Sequence, residues 1–183
     1  KHTNKPVLMV APLAVVYQLE KESKKFGYEL NRVFKDSDVK TEINITNFDN
    51  LKNIDLKQFS CIDIDESSIL KSYTGTLKKY IIEETKDINF KLAATATPSP
   101  NDYLELGNHS EFLGVMDSYE MIMRYFLNDT MNAGGYRLKG HAEKEFWEWI
   151  ASWAECITNP ADLGFDGSKY ILPKLNEIYH EIT

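Results

Sequence analysis

Asp65 and Glu66 stand side by side at the end of the apolar run Phe59-Ser-Cys-Ile-Asp-Ile64, and Thr95-Ala-Thr97-Pro98 closes a second apolar run that begins at Phe90. Adjacent carboxylates at the carboxyl end of a strand can divide two tasks. One holds Mg²⁺ through water, because that ion dehydrates reluctantly, and the other positions or deprotonates an attacking water. Nucleotide hydrolysis needs both tasks done. The plainer reading of Asp65-Glu66 is a helix start, where carboxylates favour the dipole, and that of Thr97 or Ser99 is a helix cap. A Thr-Ala-Thr-Pro element beside a strand-borne Asp-Glu is less expected by chance than either alone, and by themselves these residues give an α/β protein with a candidate carboxylate site.

Elements must position these groups, and the apolar pattern supplies them. Val7-Leu-Met-Val-Ala11 reads as a strand closed by Pro12, and Leu13–Phe26 reads as a helix with Leu13, Val16, Leu19 and Phe26 apolar and Gly27 as its stop. Uninterrupted apolar runs suit strands buried on both faces of a parallel sheet, so Phe59–Ile64 and Phe90–Ala94 are expected to be two more. Glu42–Thr46 is a shorter candidate, Tyr28–Phe34 a weaker one, and Thr74–Glu84 carries Leu77, Tyr80 and Ile81 at helical spacing. Strand and helix alternate, which predicts a doubly wound α/β domain with ligands gathered outside the carboxyl ends of the strands.

Beyond Thr97 the pattern turns helical, over Asn101–Val115, Tyr119–Phe126 and Ala142–Ile157. Leu127–Gly140, with Asn-Asp and Gly-Gly, is expected to be a long surface loop. The tail is broken by Pro173 and ends in Ile178–Ile182, an expected edge strand.

The 183 residues suit one globular domain, and 21 Lys+Arg against 28 Asp+Glu leave a net charge of −7. That charge argues against bulk attraction to phosphates while leaving room for a local basic strip. The apolar stretch Val7–Tyr17 is too short to span a bilayer and has no leader-like pattern, so neither a membrane partner nor secretion is expected. Cys61 and Cys156 lie in strand-like and helix-like runs and read as buried, reduced thiols of a cytoplasmic protein. His2, His109, His141 and His180 show no metal-ligand spacing, and His109 reads as a polar helix position.

Ala11-Pro12-Leu13, Ile45-Thr46-Asn47-Phe48, Ile64-Asp65-Glu66-Ser67 and Thr95-Ala96-Thr97-Pro98 follow the order and approximate spacing of motifs Ia, Ib, II and III of superfamily 2 helicases. The chain resembles their first RecA-like lobe. Within that superfamily, Asp65-Glu66-Ser-Ser-Ile-Leu-Lys71, Thr97-Pro98-Ser-Pro-Asn101 and Glu105-Leu-Gly-Asn-His-Ser-Glu-Phe-Leu113 look like the Swi/Snf-type DNA translocases, especially the bacterial and phage helicase-like branch. The likeness continues through Arg137-Leu-Lys-Gly-His-Ala142 and the Trp-rich helix to Ile171-Leu-Pro173, so it covers Val7 to about Leu175.

The resemblance implies a RecA-like doubly wound parallel sheet with a C-terminal helical annex: a core over 1–100, the annex over 101–168 and an exit segment over 169–183 that leads toward a second RecA-like lobe. It implies ATP and Mg²⁺ as cofactors and double-stranded DNA as partner. Asp65 would engage the nucleotide-bound Mg²⁺ and Glu66 would activate the hydrolytic water. Thr95 and Thr97 would link nucleotide state to lobe movement. Pro12, Leu13, Thr46 and Asn47 match motifs near the DNA track, where backbone amides can hold phosphates without reading sequence.

The sequence departs from the family at two points. It contains no Walker A pattern, G-x-x-x-x-G-K-[ST], and Gly164-Phe-Asp-Gly167-Ser168-Lys169 has the wrong spacing and order. The expectation is a fragment cut after Walker A and before the second lobe, inactive in ATP hydrolysis by itself. Asp63 stands where an apolar residue belongs, and a buried carboxylate there needs a partner or a place facing the site. Asp63-x-Asp65-x-Ser67 also has the look of a phosphatase D-x-D-x-[ST] loop. The alternatives are that phosphatase and a degenerate DNA- or protein-binding module that has lost hydrolysis.

Phe146, Trp149, Ile150, Trp153 and Ile157 recur at helical spacing and read as a packed stripe, with Trp147 the better exposed contact. Lys21, Lys24 and Lys25 form a basic helix end that complements the dipole. Arg137, Lys139 and His141 are equally readable as phosphate contacts or as a solvated loop.

Overall fold

The computed structural model describes residues 5–71, 75–129 and 135–176. Five parallel strands form one sheet in the order β2-β3-β1-β4-β5: β1 Val7–Ala11, β2 Asn31–Arg32, β3 Ile43–Asn47, β4 Cys61–Asp65 and β5 Phe90–Ala94. This is the expected α/β architecture of a RecA-like lobe. β1 lies at the centre, with Val10 opposite both Thr46 and Ile64 in register. All five strands point the same way, so Ala11, Asn47, Asp65 and Ala94 finish at one edge.

Pro12 turns the chain out of β1 and into helix α1, Leu13–Lys25; its carbonyl accepts from the Val15 amide at 2.8 Å and the Val16 amide at 3.0 Å. A proline suits this place because no intrahelical partner exists for its missing N–H. Val16, Ala11 and Ile45 pack together with Met9 and Leu19 on one face of the sheet. The opposite face carries the main core: Leu8, Val10, Ile62 and Ile64 meet Leu51, Leu56, Phe59, Leu70, Ile81 and Phe112, all buried. Helix α2, Thr76–Thr85, supplies Ile81, and helix α3, Glu105–Leu113, supplies Phe112.

Several expectations are corrected. The strand read at Phe59–Ile64 begins two residues later and includes Asp65, because Phe59 follows a short 3₁₀ turn and is spent in the core. β5 is not buried on both faces: Phe90 is 54% exposed and Leu92 57% exposed, since nothing among the described residues covers that side of the strand. Tyr28–Phe34 contributes only the two-residue β2. Cys61 is half-buried and Cys156 exposed, so neither is the enclosed thiol expected. Thr74 and Ile178–Ile182 lie outside the described residues.

Helix α4, Ser118–Tyr125, is capped by Asp117, whose carboxylate accepts from the Tyr119 amide at 2.8 Å. The expected loop at Leu127–Gly140 is instead an antiparallel hairpin, β6 Phe126–Asp129 with β7 Gly135–Leu138. Arg137 pairs with Asp129 across it at 3.3 Å, and the Lys139 ammonium donates to the Met123 and Arg124 carbonyls at the end of α4. Those internal partners occupy two of the three basic groups considered for phosphate. Four-residue strands with exposed Leu127 and Tyr136 have too little apolar alternation to announce themselves.

The chain divides into two compact units, Lys1–Gly140 and His141–Thr183. In the second, helix α5 spans Glu143–Ala151, with Phe146 buried and Trp147 40% exposed. Trp149 packs 5.9 Å from Phe146 and 5.4 Å from Trp153, ring centre to ring centre. Ile157 lies beyond the helix end and is exposed, so it leaves the expected stripe. Among the described residues no helix is long and apolar enough to cross a membrane.

Candidate active site

Asp65 is the last residue of β4, and Glu66 follows it in the left-handed backbone region at φ +58°. A non-glycine residue there is strained by on the order of 1–2 kcal/mol and persists only where its surroundings hold it. Several bonds do so. The Asp65 carboxylate accepts from the Glu66 amide at 3.1 Å, and the Glu66 carboxylate accepts from the Ser68 hydroxyl at 2.8 Å and from the Thr95 hydroxyl at 3.0 Å. Thr95 follows β5, the neighbour of β4, with Ala94 opposite Asp65. The Thr97 amide donates to the Thr95 hydroxyl oxygen at 3.1 Å, which fixes the hydroxyl's proton toward Glu66.

The structure therefore brings together Asp65, Glu66, Thr95 and Thr97 at the carboxyl edge of the sheet. Asp65 is half-buried and Glu66 exposed, so hard oxygen atoms are presented to solvent. These donors fit a Mg²⁺ ion held through water. Among the described residues no group of three or more His, Cys, Asp and Glu can hold a metal, so such an ion would depend on water and phosphate oxygens for the rest of its shell. Gly164-Phe-Asp-Gly167-Ser168-Lys169 does not make a phosphate loop: Gly164 ends one 3₁₀ turn and Ser168–Tyr170 forms another, with no strand before them.

The four residues matched to the DNA track are placed differently from one another. Pro12 is half-buried and Leu13 is 52% exposed at the start of α1. Thr46 is buried, its hydroxyl donating to the Val33 carbonyl at 2.7 Å. Asn47 is almost enclosed; its amide donates to Asp49 at 3.3 Å and its side-chain carbonyl accepts from Asn50. Thr46 and Asn47 shape the edge beside Pro12, opposite Val10 and Ala11, and leave Leu13 and backbone groups as the exposed features there.

Asp63 sits on the same face of β4 as Asp65, with one carboxylate oxygen enclosed and without a hydrogen-bond partner. Burial, and secondarily the charge of Asp65, push its carboxyl up to about 6. Burial and then the Asp63 charge also push the Cys61 thiol up. Ser67, the third member of the D-x-D-x-S pattern, is fully buried and bonded elsewhere.

Two buried polar contacts are not legible in the sequence. The Ser67 hydroxyl meets His109 Nε2 at 3.1 Å, joining groups 42 residues apart. The Lys78 ammonium, almost fully enclosed, donates to Asn108 at 2.8 Å and to Glu111 at 3.1 Å, and Glu111 also accepts from Ser118 at 2.6 Å. The only sequence signal for either was a polar residue on a helix face otherwise destined for the core.

No protein-family model matches the sequence, and no curated protein matches it significantly. Among solved structures, the chain is similar to the Sulfolobus solfataricus SWI2/SNF2 ATPase core in complex with dsDNA, with a TM-score of 0.59 and 23% identity. The likeness covers 82% of this chain and 33% of that one, so this chain spans about a third of its neighbour. The five-stranded parallel sheet with its helices thus has the fold of a SWI2/SNF2-type RecA-like lobe.

Proposed function

We propose that this segment is the first ATPase lobe of an ATP-dependent DNA helicase or translocase of the Swi/Snf type, in its bacterial or phage branch, working in the cytoplasm. The observation that carries the reading is the meeting of Asp65, Glu66 and Thr95 at the carboxyl edge of a parallel sheet. Ligands of open α/β sheets gather there.

Asp65 would hold Mg²⁺ through water, and that ion would neutralise charge on the phosphates of bound ATP. Glu66 orients a water and accepts its proton, because its carboxylate is exposed and already aimed by Ser68 and Thr95. Thr95 and Thr97 carry the position of Glu66 into the turn after β5, which gives lobe movement a path to the hydrolytic group. Pro12, Leu13, Thr46 and Asn47 line the neighbouring edge, where duplex DNA would pass. The phosphate cradle and the second RecA-like lobe would come from further chain. The bare side of β5, with exposed Phe90 and Leu92, supports added structure there.

The test is DNA-stimulated ATP hydrolysis by the full reading frame that carries this segment. Turnover that Glu66→Gln lowers by roughly 10²-fold or more supports the reading. Absent turnover with DNA or protein affinity unchanged by Glu66→Gln supports the binding module instead. Release of phosphate from a phosphomonoester, lost in Asp63→Asn, supports the phosphatase.

A further inference from the structure

His109 is 4% exposed and Ser67 is fully enclosed, and no step assigned above uses either. The imidazole lies between two oxygens: Nδ1 is 3.4 Å from the Glu105 carbonyl and Nε2 is 3.1 Å from the Ser67 hydroxyl. A carbonyl only accepts, so the Glu105 contact is made as a hydrogen bond when Nδ1 carries the proton. In a neutral ring Nε2 is then the acceptor, and the Ser67 hydroxyl donates to it. Burial disfavours the charged ring and outweighs the main-chain bonds to Glu105 and Ser67, which favour it, so the neutral ring is the favoured form.

Ser67 comes directly after Glu66, whose left-handed backbone must be held from outside. Ser68 and Thr95 hold the Glu66 carboxylate, and the Ile69 amide reaches the Glu66 carbonyl at 3.4 Å. Ser67 anchors the start of this turn to α3, as Lys71, whose carbonyl accepts from the Asn108 side chain at 3.1 Å, anchors its end. That helix in turn is packed against α4 at Gly107, close to Met121 and Ser118.

We propose that His109 is a positioning residue: as the neutral, Nδ1-protonated ring it accepts from Ser67, locks the strained turn that aims Glu66, and ties the carboxylate to the placement of the α3–α4 pair. Its functional meaning rests on the reading of Asp65 and Glu66 as hydrolytic carboxylates; its geometry does not. The α3–α4 pair thereby becomes a place from which the site can be regulated without touching nucleotide.

The experiment uses NMR on this chain with no nucleotide present, so it is independent of whether the hydrolytic reading holds. Imidazole ¹⁵N spectra of the unsubstituted protein should show His109 as the Nδ1–H tautomer with Nε2 accepting. Ser67→Ala and His109→Ala should each displace the Thr95 methyl and Thr97 amide resonances, which belong to residues that neither side chain touches. His109→Gln, which keeps an acceptor near Nε2, should return both resonances toward their original positions. An Nε2–H tautomer overturns the proposal. So do Thr95 and Thr97 resonances that stay in place in Ser67→Ala, or shifts that Gln leaves as large as Ala does. If His109→Ala fails to fold, the tautomer and the Ser67→Ala spectrum still decide the matter. The expected spectra in a chain whose full reading frame shows no ATP turnover would leave the geometry standing and fail only the functional reading.

Discussion

The Thr95 hydroxyl donates to the Glu66 carboxylate across 3.0 Å, bridging residues 29 apart in sequence and joining the ends of adjacent strands. One hydrogen bond therefore connects the group that would activate water with the turn that would sense lobe movement. Thr95→Val keeps the shape and removes the donor, whereas Thr95→Ser keeps both. In the full reading frame, Thr95→Val should lower kcat for ATP by about tenfold, the order of one charge-assisted hydrogen bond, with KM little changed. Thr95→Ser should stay close to the unsubstituted rate. Equal effects of Val and Ser would show that the bond plays no part in turnover.

Asp63 gives a pH dependence of definite sign. Its carboxyl is raised to about 6 in the fold, against about 3.9 for an unfolded aspartate, so between those values the native state binds the extra proton. Stability contributed by the neutral carboxyl is present below about pH 4 and is lost as pH rises through about 6. Asp63→Asn removes the buried charge, and its Tm should exceed that of the unsubstituted chain at pH 7.5. The difference should shrink toward zero at pH 4. A gain that is constant across the range would sink the explanation.

Lys78 is an enclosed cation whose bonds to Asn108 and Glu111 connect α2 with α3. Glu111 is half-buried and keeps its bond from Ser118, so removing the lysine costs on the order of 1–2 kcal/mol, less than breaking a fully buried pair. Urea unfolding of Lys78→Met should show that loss. The double variant Lys78→Met with Glu111→Gln should lose less than the sum of the two single changes, and strict additivity would deny the coupling.

Gly107 is a packing glycine. A Cβ there would meet Met121 Cε at 2.8 Å and the Ser118 backbone Cα at 3.2 Å. Alanine gains about 1 kcal/mol of helix propensity, while overpacking costs about 1–3 kcal/mol. The backbone contact cannot swing aside as the methionine can, so Gly107→Ala should be destabilised by roughly 1 kcal/mol in thermal unfolding. An unchanged or higher Tm would mean that α3 and α4 separate easily.

Much of the candidate site is legible in the sequence. Asp65, Glu66, Thr95 and Thr97 were found because each lies at the end of an apolar strand, and a parallel sheet must bring such ends to one edge. The strand at Val7–Ala11 was read to the residue because a buried central strand is apolar throughout and Pro12 marks its end. The β6–β7 hairpin is not legible for the opposite reason: only Phe126 of its eight strand residues is buried, which leaves no pattern. β5 looked central and proved open on one side, since apolar composition records that a face is to be covered and does not say by what.

Chain order and residue type alone determined the α/β class, the edge at which the strand ends meet and the placement of the paired carboxylates there. They could do so because hydrophobic periodicity and strand polarity are local properties. Only the tertiary structure decided the left-handed turn at Glu66, the hand-off from Thr95, the enclosure of Thr46 and Asn47, and the His109–Ser67 link. The exposed Thr95–Glu66 bond spans 29 residues, and the Thr46–Val33 and His109–Ser67 bonds join polar groups 13 and 42 residues apart in a dry interior, where an unpaired donor or acceptor is costly. No short-range pattern encodes which distant partner will satisfy it.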